Sequence, residues 1–236
     1  MVAQGEVRPG GQVTLFDKMG SDRHIAAYAW TSTNKDETAF TCSDKEIQRI
    51  IRFCMKGSGP GRVHASPFGH SHVSVHATDI PLFVVAQWER HRTQNFSEES
   101  LRYVISPGDF YVPNLEDVRT QVGRPGAYAY EQAPFDVAEK IVAIIQRNGM
   151  RAIEDYREIL ELGGAAELAR TVLPLGIFKR LYATASLRNW LGYLVLRNED
   201  HTQLEHRRCA EQIEEILRAL YPMTMDAWDE FDRPVL

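Results

Sequence analysis

From Phe135 onward the chain repeats one pattern, apolar residues at helical spacing. Phe135, Ala138, Ile141, Val142 and Ile145 share one face, Tyr156, Ile159 and Leu160 share another, and Gly163-Gly164 stops that segment. Leu187, Trp190, Leu191, Leu194 and Val195 follow the i, i+3, i+4, i+7, i+8 pattern closely; Cys209, Ile213, Ile216, Leu217 and Leu220 follow it more loosely. These helices do not alternate regularly with strands. That argues against a doubly wound sheet and for a mixed α/β (α+β) fold with a helical C-terminal half.

The N-terminal half is less regular. The first forty residues read as short strands and turns. Ser43 is a good N-cap with Glu46 as its capping-box partner, and Ile47, Ile50, Ile51 and Cys54 follow at helical spacing, so the expected helix is 44–56. Gly57 to Gly61 ends it. Residues 70–88 look extended: His70, His72, Ser74 and His76 alternate with Ser71, Val73, Val75 and Ala77, and Ile80 to Ala86 is a buried-type run, strand or helix. The Pro-, Gly- and Asp-rich stretch 106–126 reads as a long loop. There is no internal repeat.

Composition removes several function classes. The 236 residues suffice for one large domain with a real core. A formal net charge of -5 is not that of a polycation seeking nucleic acid. Cys42, Cys54 and Cys209 form no Cys-x-x-Cys pair, which argues for reduced thiols in the cytoplasm and against a disulfide scaffold or zinc ribbon. Met1 to Gln12 lacks the apolar stretch of a signal peptide, and Ile80 to Ala86 is far shorter than the roughly 20 residues of a membrane span.

The chemistry concentrates at 87–103. Arg90 and Arg92 flank His91 directly after a buried-type segment, and guanidiniums suit a bidentate grip on phosphate. Ser97 reads as an N-cap with Glu98 and Glu99 in the next turn, so a helix start would add free N–H groups for an anion, within reach of Arg102. A structural network pairing Arg90, Arg92 and Arg102 with Glu89, Glu98 and Glu99 fits the charge count equally well.

The order Arg90-His91-Arg92, seven residues, Ser100, then Arg102-Tyr103 resembles the signature of the flavin-dependent thymidylate synthases. His64-Ala65-Ser66-Pro67-Phe68-Gly69-His70 is similar to that family's His-x-(Ser/Thr)-Pro-Phe-Glu-His segment. Arg170 to Pro174 is similar to its Arg-x-x-Leu-Pro segment, and Leu196-Arg197 with His201, Gln203 and Glu205 to its Leu-Arg-x-x-x-His-x-Gln-x-Glu helix end. The chain departs from the pattern at Asn95-Phe96-Ser97, where Ser-x-Asn is usual, at Gly69 in place of Glu, and at Ser186 and Gly192, where Asn is common.

The resemblance implies a single domain over 1–236, a central mainly antiparallel sheet, and assembly as a homotetramer with sites shared between subunits. It implies reductive methylation of dUMP to dTMP, with methylenetetrahydrofolate as carbon donor, FAD as redox cofactor and NADPH as reductant. Carried over residue by residue, dUMP would meet Gln87, Trp88, Glu89, Arg90, Glu98, Glu99, Ser100, Leu101, Arg102, Arg170 and Arg197. FAD would meet Ser66, Arg90, His91, Arg92, Glu98, Ser186, Leu187, Arg188, Gly192 and His201. Arg197 would stabilise the ionised uracil N3; by itself it reads as a helix C-terminal cation facing solvent. No cysteine has the setting of a nucleophile, since Cys54 and Cys209 fall on apolar helix faces and Cys42 in a turn-like segment. No metal, nucleic acid or membrane is expected.

Two rival readings come from the residues alone. His64, His70, His72 and His76 lie close together and could ligate a metal, but no carboxylate or cysteine stands at a fitting spacing. The Arg cluster between Trp88 and Phe96 could serve single-stranded RNA if both rings were exposed.

Overall fold

A computed structural model describes residues 11–58, 62–124 and 127–236. The ends of two expectations, Gly59 to Gly61 and the polar start up to Gly10, lie outside the described residues.

Strand β1 (Gln12–Met19) is followed by helix α1 (Asp22–Trp30). That helix corrects the reading of the first forty residues as strands and turns: its Ile25, Ala26 and Ala27 are buried, and Ala is the strongest helix former. Helix α2 (Asp44–Lys56) has the expected bounds, and both hydrogen bonds of the Ser43/Glu46 capping box are present. Strand β2 (His72–Pro81) ends the extended stretch sooner than expected, because residues from Leu82 turn into helix α3 (Leu82–Trp88). The break is local: the pairing register shifts between Ala77 and Ile80, Asp79 has φ 55, and Pro81 stands just before the helix.

Strand β3 (Asn95–Glu98) overturns the helix start expected at Ser97. Beyond it, the long loop expected over 106–126 instead contains strand β4 (Arg119–Arg124), which pairs with β5 (Ala127–Gln132) as a hairpin. Helix α4 (Phe135–Glu161) joins the two helical stretches read from the sequence. Gly149 sits inside it because a Cβ there would lie 2.1 Å from the Phe110 ring. A short helix, α5 (Ala166–Ala169), leads to strand β6 (Phe178–Ser186), which interrupts the expected run of helices. Then come α6 (Leu187–Arg197), α7 (Leu204–Leu220) and α8 (Pro222–Glu230).

The main sheet has the order β1-β2-β6-β3, and every pair is antiparallel. Its inward residues, Val73, Val75, Ala77, Leu181, Ala183 and Ala185, belong to one core with Trp88, Trp190 and Leu194. Burying a large apolar side chain of this kind contributes about 1.5–3 kcal/mol. Trp190 also donates to the Val73 carbonyl at 3.0 Å, which fastens α6 to the sheet. The outward face carries His76 stacked on Tyr182 at 4.5 Å and Phe16 edge-on to the same ring. Asp22 is buried and accepts from Met223 N, Thr224 N and Thr224 Oγ1, so α1 caps α8. The fold is thus a mixed α/β domain with an antiparallel sheet and a largely helical C-terminal region. Among the described residues no helix is long and apolar enough to cross a membrane.

Candidate active site

The chain leaves α3 at Trp88, whose buried indole donates to Gln94 Oε1 at 2.9 Å and closes the loop 89–94 into a compact turn. That loop lies along α6. Asn189 Nδ2 donates to Thr93 O at 2.9 Å, and Arg197, two helical turns later, reaches back over the loop. Its Nε donates to His91 Nε2 at 2.9 Å and its Nη2 to Gln87 O at 3.5 Å.

This contact fixes a protonation state. A guanidinium Nε–H can only donate, so His91 Nε2 must accept, and the ring is neutral with its proton on Nδ1. Electrostatics agree: burial, and then the Arg197 charge, push His91 down to about 4. Among the described residues Arg197 makes no ion pair with a carboxylate. Its partners are neutral, so its full charge is available to an anion.

Gln87 also donates to Gln203 Oε1 at 2.6 Å. Both line a cleft of about 630 Å³ with Phe83, Tyr111, Tyr130 and His201. One wall is braced by Tyr111 donating to Glu205 at 2.5 Å and by Arg208 gripping both oxygens of Asp117 at 2.9 and 2.6 Å. The Arg208 hydrogen bond is the main reason the Asp117 carboxyl is held below its usual range. On the hairpin, the Arg119 guanidinium lies 4.7 Å from the Tyr130 ring centre.

The residues expected around a flavin gather at α6 and its neighbouring segments. Ser186 caps the helix, accepting from Asn189 N at 3.3 Å. Leu187 is buried, and its N–H donates to Ser71 O at 2.8 Å. Arg188 and Gly192 lie one helical turn apart, and a Cβ at Gly192 would meet nothing within 4 Å. Ser66 opens a 3-10 turn, Ser66–Gly69, that packs on α1 and α6. Arg90 and Arg92 are exposed, and among the described residues they and Arg188 make no ion pair with a carboxylate.

The residues expected to bind dUMP divide into two groups. Gln87 lines the cleft, and Arg197 donates to its backbone carbonyl. Glu98 ends β3, and Glu99, Ser100, Leu101, Arg102 and Arg170 lie beyond it. There Lys179, only 5 % exposed, pairs with Glu98 at 2.9 Å and also donates to the Glu99 carbonyl. Glu99 faces Arg180 at 3.7 Å, and Arg102 pairs with Glu167 at 3.0 Å, one turn before Arg170. Among the described residues no hydrogen bond or ion pair joins this group to Gln87 and Arg197. The Trp88 and Leu101 side chains are buried in core clusters, so only their backbones can face a ligand. Burial, then Glu98, raise the nearby Glu89 carboxyl. The alternative network of Arg90, Arg92 and Arg102 with Glu89, Glu98 and Glu99 does not form: Glu98 and Glu99 face Lys179 and Arg180 instead.

The rival readings lose their geometry. His64 stacks on Phe53 and His76 on Tyr182, and His70 lies tilted against Tyr28. Among the described residues no group of three His, Cys, Asp or Glu side chains could hold a metal. Trp88 is core, so it offers nucleic acid no stacking platform.

Sequence reasoning passed over Tyr193, His206 and Gln94, which are buried behind His91. One signal was available: His206 falls on the same helical face as Cys209, Ile213 and Leu217, where an apolar residue belongs.

The model of the family described as thymidylate synthase complementing protein matches residues 14–223. The chain belongs to the flavin-dependent thymidylate synthase family. A flavin-dependent thymidylate synthase of Anaplasma marginale (strain St. Maries) is 33% identical over 221 residues, which cover 94% of this chain and 72% of the relative. That of Tropheryma whipplei (strain TW08/27) is 31% identical over 229 residues, covering 94% and 93%. Among solved structures, the UMP/dUMP methylase PolB from Streptomyces cacaoi bound with 5-Br dUMP superposes with a TM-score of 0.87 at 33% identity, covering 98% of this chain and 100% of that one. A flavin-dependent thymidylate synthase fold therefore extends over nearly the whole chain.

Proposed function

We propose that this protein methylates C5 of dUMP reductively to give dTMP, as a cytoplasmic homotetramer of one domain per chain, and that Arg197 is its catalytic residue. The observation that carries the reading is the Arg197–His91 contact: a half-buried guanidinium held, among the described residues, by neutral acceptors alone. Such a cation favours whatever negative charge forms beside it. On a pyrimidine that charge is the ionised N3 with its flanking carbonyl oxygens, and stabilising it makes C5 electron-rich.

The residues present fit FAD. Arg90, Arg92 and Arg188 lack carboxylate partners among the described residues, as a pyrophosphate site requires, and the open space at Gly192 leaves room beside α6. FAD supplies the hydride, with NADPH as its reductant and methylenetetrahydrofolate as the carbon donor. The protein's own work is positioning. Gln87 and Gln203 orient polar atoms at the cleft, and Ser100, Arg102 and Arg170 grip the nucleotide phosphate. The last three complete the site of another subunit, a reading supported by the lack, among the described residues, of any hydrogen bond or ion pair from them to Gln87 or Arg197.

No cysteine takes part. Burial pushes Cys54 up to about 11 and Cys209 up to about 12, so neither is a thiolate at neutral pH.

A second reading has a specific observation behind it. The superposed PolB is a UMP/dUMP methylase, and a second structure of it holds 5-Br UMP, at 32% identity and a TM-score of 0.87. Identity to it is no lower than to the thymidylate synthases, so UMP stands as an alternative substrate. Tritium release from C5-labelled dUMP and UMP, with FAD, NADPH and methylenetetrahydrofolate, tests both. The expected result is a yellow protein that releases tritium from dUMP. A colourless protein that cannot be reconstituted with FAD overturns the proposal, and release from UMP alone moves it to the ribonucleotide.

A further inference from the structure

Behind the Arg197–His91 pair lies a set of buried polar atoms that the reaction as described does not use. His206, in the first turn of α7, is 0 % exposed, and among the described residues neither ring nitrogen has a hydrogen-bond partner. The Tyr193 hydroxyl on α6 and Gln94 Nε2 in the loop are also buried without partners. The rings adjoin one another. Tyr193 lies 5.7 Å from His206 and 4.8 Å from His91, and Trp88 lies 6.0 Å from His206 and 5.7 Å from Tyr193. A loop, α6 and α7 thus each bury one polar side chain against Trp88.

Stability does not account for this arrangement. Position 206 belongs to the apolar stripe of α7 with Cys209, Ala210, Ile213 and Leu217. A leucine there would leave no polar atom unmet, whereas a buried histidine and tyrosine with unmet atoms are costly. Buried polar groups in a core fix one arrangement of side chains rather than adding stability. The arrangement at hand is that of His91, whose ring sits edge-on against Tyr193 at an interplanar angle of 69°.

We propose that Tyr193 and His206 are positioning residues for the methylation: a buried pair in ring contact, with their polar atoms joined through one ordered water, that holds Tyr193 as a fixed wall for His91 and thereby sets the aim of Arg197. The inference rests on the reaction proposed above. His91 offers Arg197 a single lone pair, so a tilt of its ring swings the guanidinium away from the pyrimidine. Misplacement of about 1 Å by a change remote from the chemistry can lower a rate about a hundredfold.

The test compares His206→Leu, His206→Gln, Tyr193→Phe and the Leu/Phe double variant. FAD and dUMP affinities, steady-state kinetics and nitrogen NMR of histidine-labelled, ligand-free protein are measured on each. His206→Leu and Tyr193→Phe are each expected to bind both ligands within about twofold of wild type and keep KM, while kcat falls roughly tenfold or more. The double variant should be no slower than the slower single, because both break one interaction. His206→Gln should recover part of the loss. In the NMR, His91 should change from one tautomer, protonated on Nδ1, to a mixture. Wild-type kcat with a single His91 tautomer in His206→Leu or Tyr193→Phe overturns the proposal. If His206→Leu does not fold, Tyr193→Phe, which removes one hydroxyl, decides by the same criteria. A wild type that releases no tritium from either nucleotide sinks the reaction instead, and the NMR comparison still decides the positioning.

Discussion

Lowering the pH from 7 to 5 is expected to cost the folded chain about 2 kcal/mol through His206 alone. Burial first, then the Arg197 charge, push this imidazole from 6.5 down to about 3. The unfolded chain takes up the proton as pH falls through 6.5, while the folded chain does not until about 3. The stability contributed by the neutral ring is therefore complete above 6.5 and is lost progressively as pH falls toward 3. Each unit inside that window costs about 1.4 kcal/mol, which gives about 2 kcal/mol for the descent from 7 to 5. For a chain of this size that is a fall in Tm of roughly 4–8 °C. His91, depressed to about 4 but only half-buried, adds a smaller, solvent-screened loss in the same direction. His206→Leu isolates the term. Urea unfolding followed by circular dichroism at pH 7 and pH 5, at one protein concentration and without ligands, should show the variant losing about 2 kcal/mol less than wild type. Equal losses in the two proteins would refute the claim that His206 is buried as a neutral ring.

Arg197→Ala is expected to keep the fold and bound FAD while turnover falls about 10²–10³-fold, and unchanged turnover would remove Arg197 from catalysis. Replacing Cys42, Cys54 and Cys209 together by alanine should leave dTMP formation within a few-fold of wild type; abolished turnover in a folded variant would restore a thiol nucleophile. Lys179→Met removes the cation that Glu98 pairs with and should destabilise by about 1 kcal/mol, well below the figure for a fully buried pair because the Glu98 carboxylate remains open to water, as measured by urea unfolding.

Local chemistry was legible in the sequence wherever the structure is decided locally. Helix α2 has a capping box and an apolar stripe within its own residues, and its bounds came out as read. Helix α6 likewise declares itself through Leu187, Trp190, Leu191 and Leu194. The strands were harder because their partners are distant: His72 pairs with Ser186, and Asn95 with Thr184. Ser97-Glu98-Glu99 carries good helix-start chemistry, yet β3 forms there because the edge of β6 gives its backbone a ladder to join. At the site, the charge pattern at Arg90–Arg92 was visible, whereas Arg197 stood out only through the resemblance. Tyr193 and His206 were hidden because their unmet polarity becomes apparent only when loop, α6 and α7 are brought together.

Asp22 has a consequence for how the molecule comes into being. Among the described residues its buried carboxyl is satisfied by Met223 and Thr224, some two hundred residues later. During synthesis this acid therefore stays hydrated until Met223 and Thr224 have emerged. Until then the start of α1 lacks those partners, so α1 and the start of α8 close together.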